Sequence, residues 1–271
     1  RLDTAAFVPQ SFLREFQKSA GVYIVGEVTT FNMSFHKSYQ DVLQGVLNFP
    51  SYYYMACAFG NLDMCKLGSI PENSFQPLAD VWHQYEVLAY RDVDLLGNFV
   101  DNHDMPRFLR SLNDTALLKS ALTVVMFQRG IPIVYYGTEQ SFDQDDERTV
   151  LWPHYNTSSP MYIYITKLNA LRRVHVTGDR GKTQAVLRAD HRVFAFSRGN
   201  LVILVTNIGQ DAEPVQACVP QTSLPWDWRL RPTNLLTSSQ PYVEGDSLCV
   251  NLEEGLPAIL SGERQRYVLS V

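Results

Sequence analysis

The stretch LLGNFVDNHDMPRF, Leu95 to Phe108, decides the fold. An apolar run from Leu95 to Val100 passes without a break into Asp101, Asn102, His103 and Asp104, with Pro106 close behind. A run that short and apolar, containing Gly97, reads as a buried strand ending in a loop of ionisable groups. A strand with a carboxylate–histidine tip is a common way for α/β proteins to present chemistry. A plainer reading stands beside it: Asp101 and Asn102 make a turn and cap the helix that follows near Leu109.

Working outward, the segment from Phe7 to about Pro160 alternates apolar strand-like runs with longer amphipathic ones. GVYIVGEV (Gly21 to Val28), the start of QGVLNFPSYYY (Gln44 to Tyr54), LLGNFV and GIPIVYYG (Gly130 to Gly137) read as strands. PQSFLREFQKSA, SYYYMACAFGNL, PLADVWHQYEVLAY and DTALLKSALTVVMFQRG read as helices, the last opened by an Asp and closed by a Gly. Repeated strand–helix units predict parallel strands with helical crossovers. After the helix-like SPMYIYITKLNALRRV (Ser159 to Val174) the texture becomes short strands with polar turns, as in QAVLRADHRVFAFSRGNLVILVTNIG. This places a boundary near Thr177 to Lys182, giving units 1–180 and 181–271, the second antiparallel and all-β. GDRGKT lacks the first Gly of a phosphate loop, where Val176 stands, and is set aside.

Composition narrows the partners. A net charge of -5, with no Lys/Arg block, leaves no electrostatic footprint for nucleic acid or an anionic membrane. No apolar run reaches the ~18 to 20 residues of a membrane span, and no signal-like segment opens the chain. The chain starts at Arg1, inside what reads as a strand, so the expectation is a piece of something longer. Cys218 and Cys249 sit in strand-like surroundings where a bridge between neighbouring strands fits, while the pairing of Cys57 and Cys65 stays open. Three sequons, at Asn32, Asn113 and Asn156, together with an even cysteine count, lean towards a secretory or extracellular setting.

In a strand–helix array functional groups gather where strands end, and three strand ends here carry acids. RLD sets Arg1 and Asp3 on one face of an extended segment. Glu27 in GEV ends the next strand, about one crossover unit later. Asp104 follows after room for an intervening strand and an insertion. Two carboxylates from adjacent strands flanking a cleft are what glycosidic hydrolysis demands, one ionised and one kept protonated. Taken singly, Arg1 and Asp3 read as a structural ion pair, Glu27 as a solvated loop acid and His103 as a packed histidine; their ordered occurrence favours chemistry.

RLDTAAFV, GEV and FVDNHD resemble three short signature regions of the alpha-amylase family of glycoside hydrolases, in the right order. GVLNFPSYYY, GIPIVYYGTEQ and LNALRR are similar to later segments of the fungal-type members. The resemblance implies an α/β fold: the C-terminal part of a (β/α)8 TIM barrel, from its fourth strand, followed by an antiparallel β-sandwich. It implies Asp3 as nucleophile, Glu27 as general acid/base and Asp104 as the third carboxylate gripping sugar hydroxyls, with Arg1, His103 and Arg148 binding substrate. It further implies a retaining endo-hydrolysis of α-1,4-glucans, Asp3 and Glu27 ~5 to 5.5 Å apart, a monomer, and a calcium ion to which Phe7 gives a backbone carbonyl, its other ligands outside this chain. An α-glucosidase or transglycosylase of the same family, and a non-catalytic scaffold subunit, are the competing readings; retention of all three acids speaks against the scaffold.

Two departures stand out. Where starch-degrading members continue with Lys-His after the nucleophile motif, this chain has Ala6 and Phe7, so those acceptor-side sugar contacts are expected to be lost. Half a barrel would also leave open edges, so the chain alone is expected to be poorly stable or inactive. Asp145 and Asp146 read as solvated loop acids, and Trp226 and Trp228 as alternating with Asp227 across a strand, at least one of them packed.

Overall fold

A computed structural model describes residues 1–144, 148–176 and 178–262. Five extended segments run parallel in chain order. Leu2 bridges to Gly26 in β1 (Val25–Gly26), β1 pairs with β2 (Gly45–Val46), Leu47 bridges to Gly97 in β3 (Gly97–Asn98), and β3 pairs with β4 (Ile131–Pro132). Helices cross between them: α1 (Gln10–Ala20) before β1, α2 (Met33–Gln40) before β2, then α3 (Phe49–Ala58), α4 (Leu62–Gly68) and α5 (Gln76–Val87) before β3. The short α6 (Phe108–Leu112) and α7 (Thr115–Phe127) precede β4, and α8 (Pro160–His175) follows it. Neighbouring parallel strands joined by crossovers are the curved wall of a (β/α) barrel.

The caps explain several boundaries. Asp114 opens α7, its Oδ1 accepting from the N–H groups of Ala116 and Leu117 at 2.8 and 3.0 Å. Gly130 closes the turn after α7 at φ 121°, against the Leu96 carbonyl and the Asn98 side chain, where a side chain would collide. The strand start expected at the head of Gln44 to Tyr54 is Gly45–Val46, and SYYYMACAFGNL is helical as expected through Ala58. Asn48 accepts from Ser51 N–H, and Pro50 pre-sets the first turn of α3, so the three tyrosines are helical.

Beyond α8 the strands are antiparallel, as the texture predicted. β5 (Gln184–Ala189), β6 (Val193–Arg198) and β7 (Leu201–Thr206) form a meander. β8 (Val215–Pro220), β9 (Thr233–Asn234), β10 (Tyr242–Glu244), β11 (Ser247–Leu252) and β12 (Ala258–Ser261) complete two sheets, ordered β5-β6-β7-β12-β9 and β10-β11-β8. Cys218 and Cys249 face each other across β8 and β11 and are joined, and Cys57 is joined to Cys65.

The larger sheet is covered on both faces. Val193, Ala195, Val202 and Leu204 pack with Ala217, Val219, Leu248 and Val250 of the smaller sheet. Phe194, Phe196, Leu201, Ile203 and Val205 point the other way, into the core built by α5, α7 and α8. Period-two alternation therefore separates two apolar cores rather than core from water, which is why VFAFSR and LVILVT are apolar nearly throughout. One expectation fails here. Trp226, Asp227 and Trp228 do not alternate across a strand: Asp227 Oδ1 accepts from Arg229 N–H and starts a 3₁₀ turn, Trp228–Leu230. Trp226 packs beside the sandwich core and donates its indole N–H to the Asn200 carbonyl at 2.8 Å.

No helix among the described residues is long and apolar enough to cross a membrane.

Candidate active site

The acids meet at the C-terminal ends of the parallel segments. The ladder Leu2 N–H to Val25 O and Glu27 N–H to Leu2 O, both 2.9 Å, sets the first segment in register with β1. Side chains of Arg1 and Asp3 therefore emerge beside Glu27. Arg1 binds Asp3 Oδ2 at 3.1 Å through Nη1 and Glu27 Oε1 at 3.0 Å through Nη2, and Nη2 lies 3.8 Å from Asp104 Oδ2. Thr4, in the left-handed region at φ 48°, turns its N–H onto Glu27 Oε2 at 3.0 Å. One guanidinium and one backbone amide thus hold three carboxylates from three strand tips.

The tip after β3 divides the two readings of VDNHD. Asp101 is buried and structural: its Oδ1 accepts from Thr138 Oγ1 at 3.0 Å and its Oδ2 from Phe108 N–H, at the start of α6. Burial pushes its carboxyl above the usual range. Asn102 Oδ1 accepts from Asp104 N–H at 2.8 Å, and Asn102 bridges to Met105, closing a tight turn. The turn and cap were therefore rightly read for these two residues, while His103 and Asp104 are turned outward to the acids. His103 Nε2 lies 2.9 Å from Asp104 Oδ2, and Arg148 Nη2 reaches Asp104 Oδ1 at 3.2 Å.

The Asp3 and Glu27 carboxylates are brought together on the one guanidinium of Arg1. Interaction with Glu27 first, and the positive charge of Arg1 second, hold the exposed Asp3 carboxyl below the ordinary carboxylate range.

Sequence reasoning missed Arg107 and Tyr135. The Tyr135 ring lies 6.4 Å from the His103 ring, and the Arg107 guanidinium sits 4.3 Å over Tyr135 and donates to the Tyr136 carbonyl at 2.7 Å. The paired tyrosines after the β4 run, at a strand end, were the available signal.

Phe7 ends a 3₁₀ turn with its side chain 88% exposed, where the Lys-His pattern would place a polar side chain. Calcium asks for six to eight oxygens. Among the described residues the one cluster of three metal-ligand side chains is Cys218, Glu244 and Cys249, whose sulfurs are bonded to each other, so those residues do not by themselves form a calcium site around the Phe7 carbonyl. Asp145 and Asp146 lie outside the described residues.

Parallel strand–helix units with acids converging at the C-terminal strand tips define a barrel of glycoside-hydrolase type. Residues 4–188 match the family described as alpha amylase, catalytic domain. Alpha-amylase 2 of Schwanniomyces occidentalis is 32% identical over 271 residues, covering 96% of this chain and 51% of that protein. An alpha-amylase of Saccharomycopsis fibuligera is 33% identical over 216 residues, 77% of this chain and 42% of its own. The solved structure of an alpha-amylase from Malbranchea cinnamomea superposes with a TM-score of 0.83 at 31% identity, covering 96% of this chain and 54% of that one. The chain belongs to the alpha-amylase family. It spans about half the length of these relatives.

Proposed function

We propose that the protein carrying this chain is a retaining endo-hydrolase of α-1,4-glucans in which Asp3 attacks the anomeric carbon and Glu27 protonates the leaving oxygen. The observation that carries this reading is the convergence of Asp3, Glu27 and Asp104 on the single guanidinium of Arg1. Asp3, held ionised by its neighbours, is suited to nucleophilic attack. The first step requires Glu27 to carry the proton that the leaving oxygen takes while Asp3 is ionised. In the second half-reaction Glu27 takes a proton from water, which opens the glycosyl–Asp3 ester and restores both groups. Asp104, steadied by His103 and Arg148, accepts hydrogen bonds from sugar hydroxyls as the ring flattens, and Tyr135 offers a face beside it.

Supporting an oxidising, secretory setting are the two disulfides and the exposure of Asn32, Asn113 and Asn156, each open to glycan attachment. Calcium bound in part by the Phe7 carbonyl belongs to the same proposal and enters none of these steps.

The test is product release from a blocked maltoheptaoside by the intact parent protein, wild type against Glu27→Gln. Activity in the wild type and a fall of several orders of magnitude in the variant is expected. Equal rates in both would sink the acid/base assignment. No turnover by folded wild type would direct attention to Ala6 and Phe7 and to another sugar.

A further inference from the structure

At the opposite ends of the strands lies a second charged cluster that the chemistry above does not use. Asp94, just ahead of β3, accepts from Arg129 Nε at 3.0 Å and Nη2 at 2.7 Å, and Arg129 lies just ahead of β4. Arg198, the last residue of β6, brings its Nη2 to 3.6 Å from the same carboxylate. Arg172, on α8, donates to the carbonyls of Met126 and Gly130. One carboxylate therefore serves two guanidiniums, with a third alongside. Lys182 also acts on Asp94, and Asp92 and Glu86 act on Arg129.

Arg198 is the anomaly. Its side chain is only 5% exposed, and its Nε and Nη1 are buried with no hydrogen-bond partner among the described residues. Buried guanidinium donors call for acceptors, and Arg172 and Arg129 repel Arg198 where Asp94 attracts it. Burial first, and that repulsion after it, lower its pKa to about 10. What would satisfy the position is a species that only accepts, carries one negative charge and is small enough to sit beside a nearly enclosed side chain.

We propose that Arg198, flanked by Arg129 and Arg172, binds one small inorganic anion of the halide class where the parallel array meets the larger sheet of the sandwich. The ion accepts from Arg198 Nε or Nη1 and offsets the surplus of guanidinium charge that Asp94 leaves. This inference is independent of the glycosidase reading.

Crystals of the intact parent protein grown with sodium bromide in place of chloride decide the matter directly. An anomalous peak within about 3.5 Å of Arg198 Nε or Nη1 is expected; an ordered water there without anomalous signal overturns the proposal. In solution, the wild-type Tm is expected to rise saturably by about 2 to 4 °C when gluconate is exchanged for chloride at constant ionic strength. The rise should vanish in Arg198→Met, while a wild-type Tm identical in the two salts overturns the proposal without recourse to the variant.

Discussion

Arg107 shows what a single buried residue can organise. It is fully enclosed, its guanidinium lies over Tyr135 and 5.2 Å from the centre of Tyr136, and the same strand-end loop supplies the carbonyl it binds. A planar cation stacked on rings and bonded to a carbonyl is not replaced by an ammonium. Arg107→Met is expected to lose about 2 to 4 kcal/mol of stability, and Arg107→Lys to recover little of it. Urea unfolding of both variants measures this; a Lys variant within about 0.5 kcal/mol of wild type would show that charge alone suffices. At this scale legibility was uneven. Glu27 and Asp104 could be picked out because each follows an apolar run, and Asp3 through its ordered occurrence with them, whereas Arg107 is a lone arginine in a loop and shows its importance only through rings brought from β4. Asp101 and His103 sit two residues apart in one motif, yet one is buried and the other faces the acids, a distinction that spacing alone does not carry.

Among the elements, α2 carries a buried titratable group. His36 Nε2 donates to the Leu47 carbonyl at 2.9 Å, and Nδ1 lies 3.0 Å from the Tyr90 hydroxyl, which in turn lies 3.0 Å from the Met33 carbonyl. This ties the helix to the end of β2. Burial, opposed in part by the Leu47 carbonyl, lowers the His36 pKa to about 4. Between about pH 6.5 and 4 the unfolded chain binds a proton that the folded one refuses, so stability falls as pH falls across that window and levels off below it. The loss amounts to about 3 kcal/mol. Urea unfolding from pH 7 to 4 is expected to show this slope in wild type and a flatter one in His36→Gln; parallel profiles would remove His36 as the cause. Helices bounded by an N-cap, such as α7 behind Asp114, were legible in position and type. The strands were legible as apolar runs but not in length, since a barrel wall pairs only a few residues of each run before the chain turns to its helix. At Gln44 to Tyr54 the Asn48 cap and Pro50 fix where the short strand gives way to the helix that carries the three tyrosines.

For the whole molecule, the parallel array followed by an antiparallel sandwich was readable from the change of texture after α8. The sharing of the larger sheet between two cores was not, because an apolar strand does not say what covers each face. Phe194 marks the junction: it stacks on Phe75 at 5.6 Å between ring centres and meets Trp82 edge-on at 4.9 Å. Phe194→Ala is expected to cost about 3 to 5 kcal/mol and to lower one common unfolding transition. Trp82 reports from the helical side of the sheet and Trp226 from the sandwich side. Transitions that separate when each tryptophan in turn is replaced by Phe would show that the two sides unfold independently.

The two-faced sheet also bears on how the protein is made. Phe75 and Phe194 lie about 120 residues apart in the chain, so a ribosome adding ~5 to 20 residues per second leaves the α5 side of the core uncovered for on the order of ten seconds. During that interval the nascent barrel segment presents a wide greasy surface to its surroundings, and its final partner does not yet exist. Until β6 and β7 emerge that surface stays uncovered, a condition imposed by the order of synthesis rather than by the finished fold.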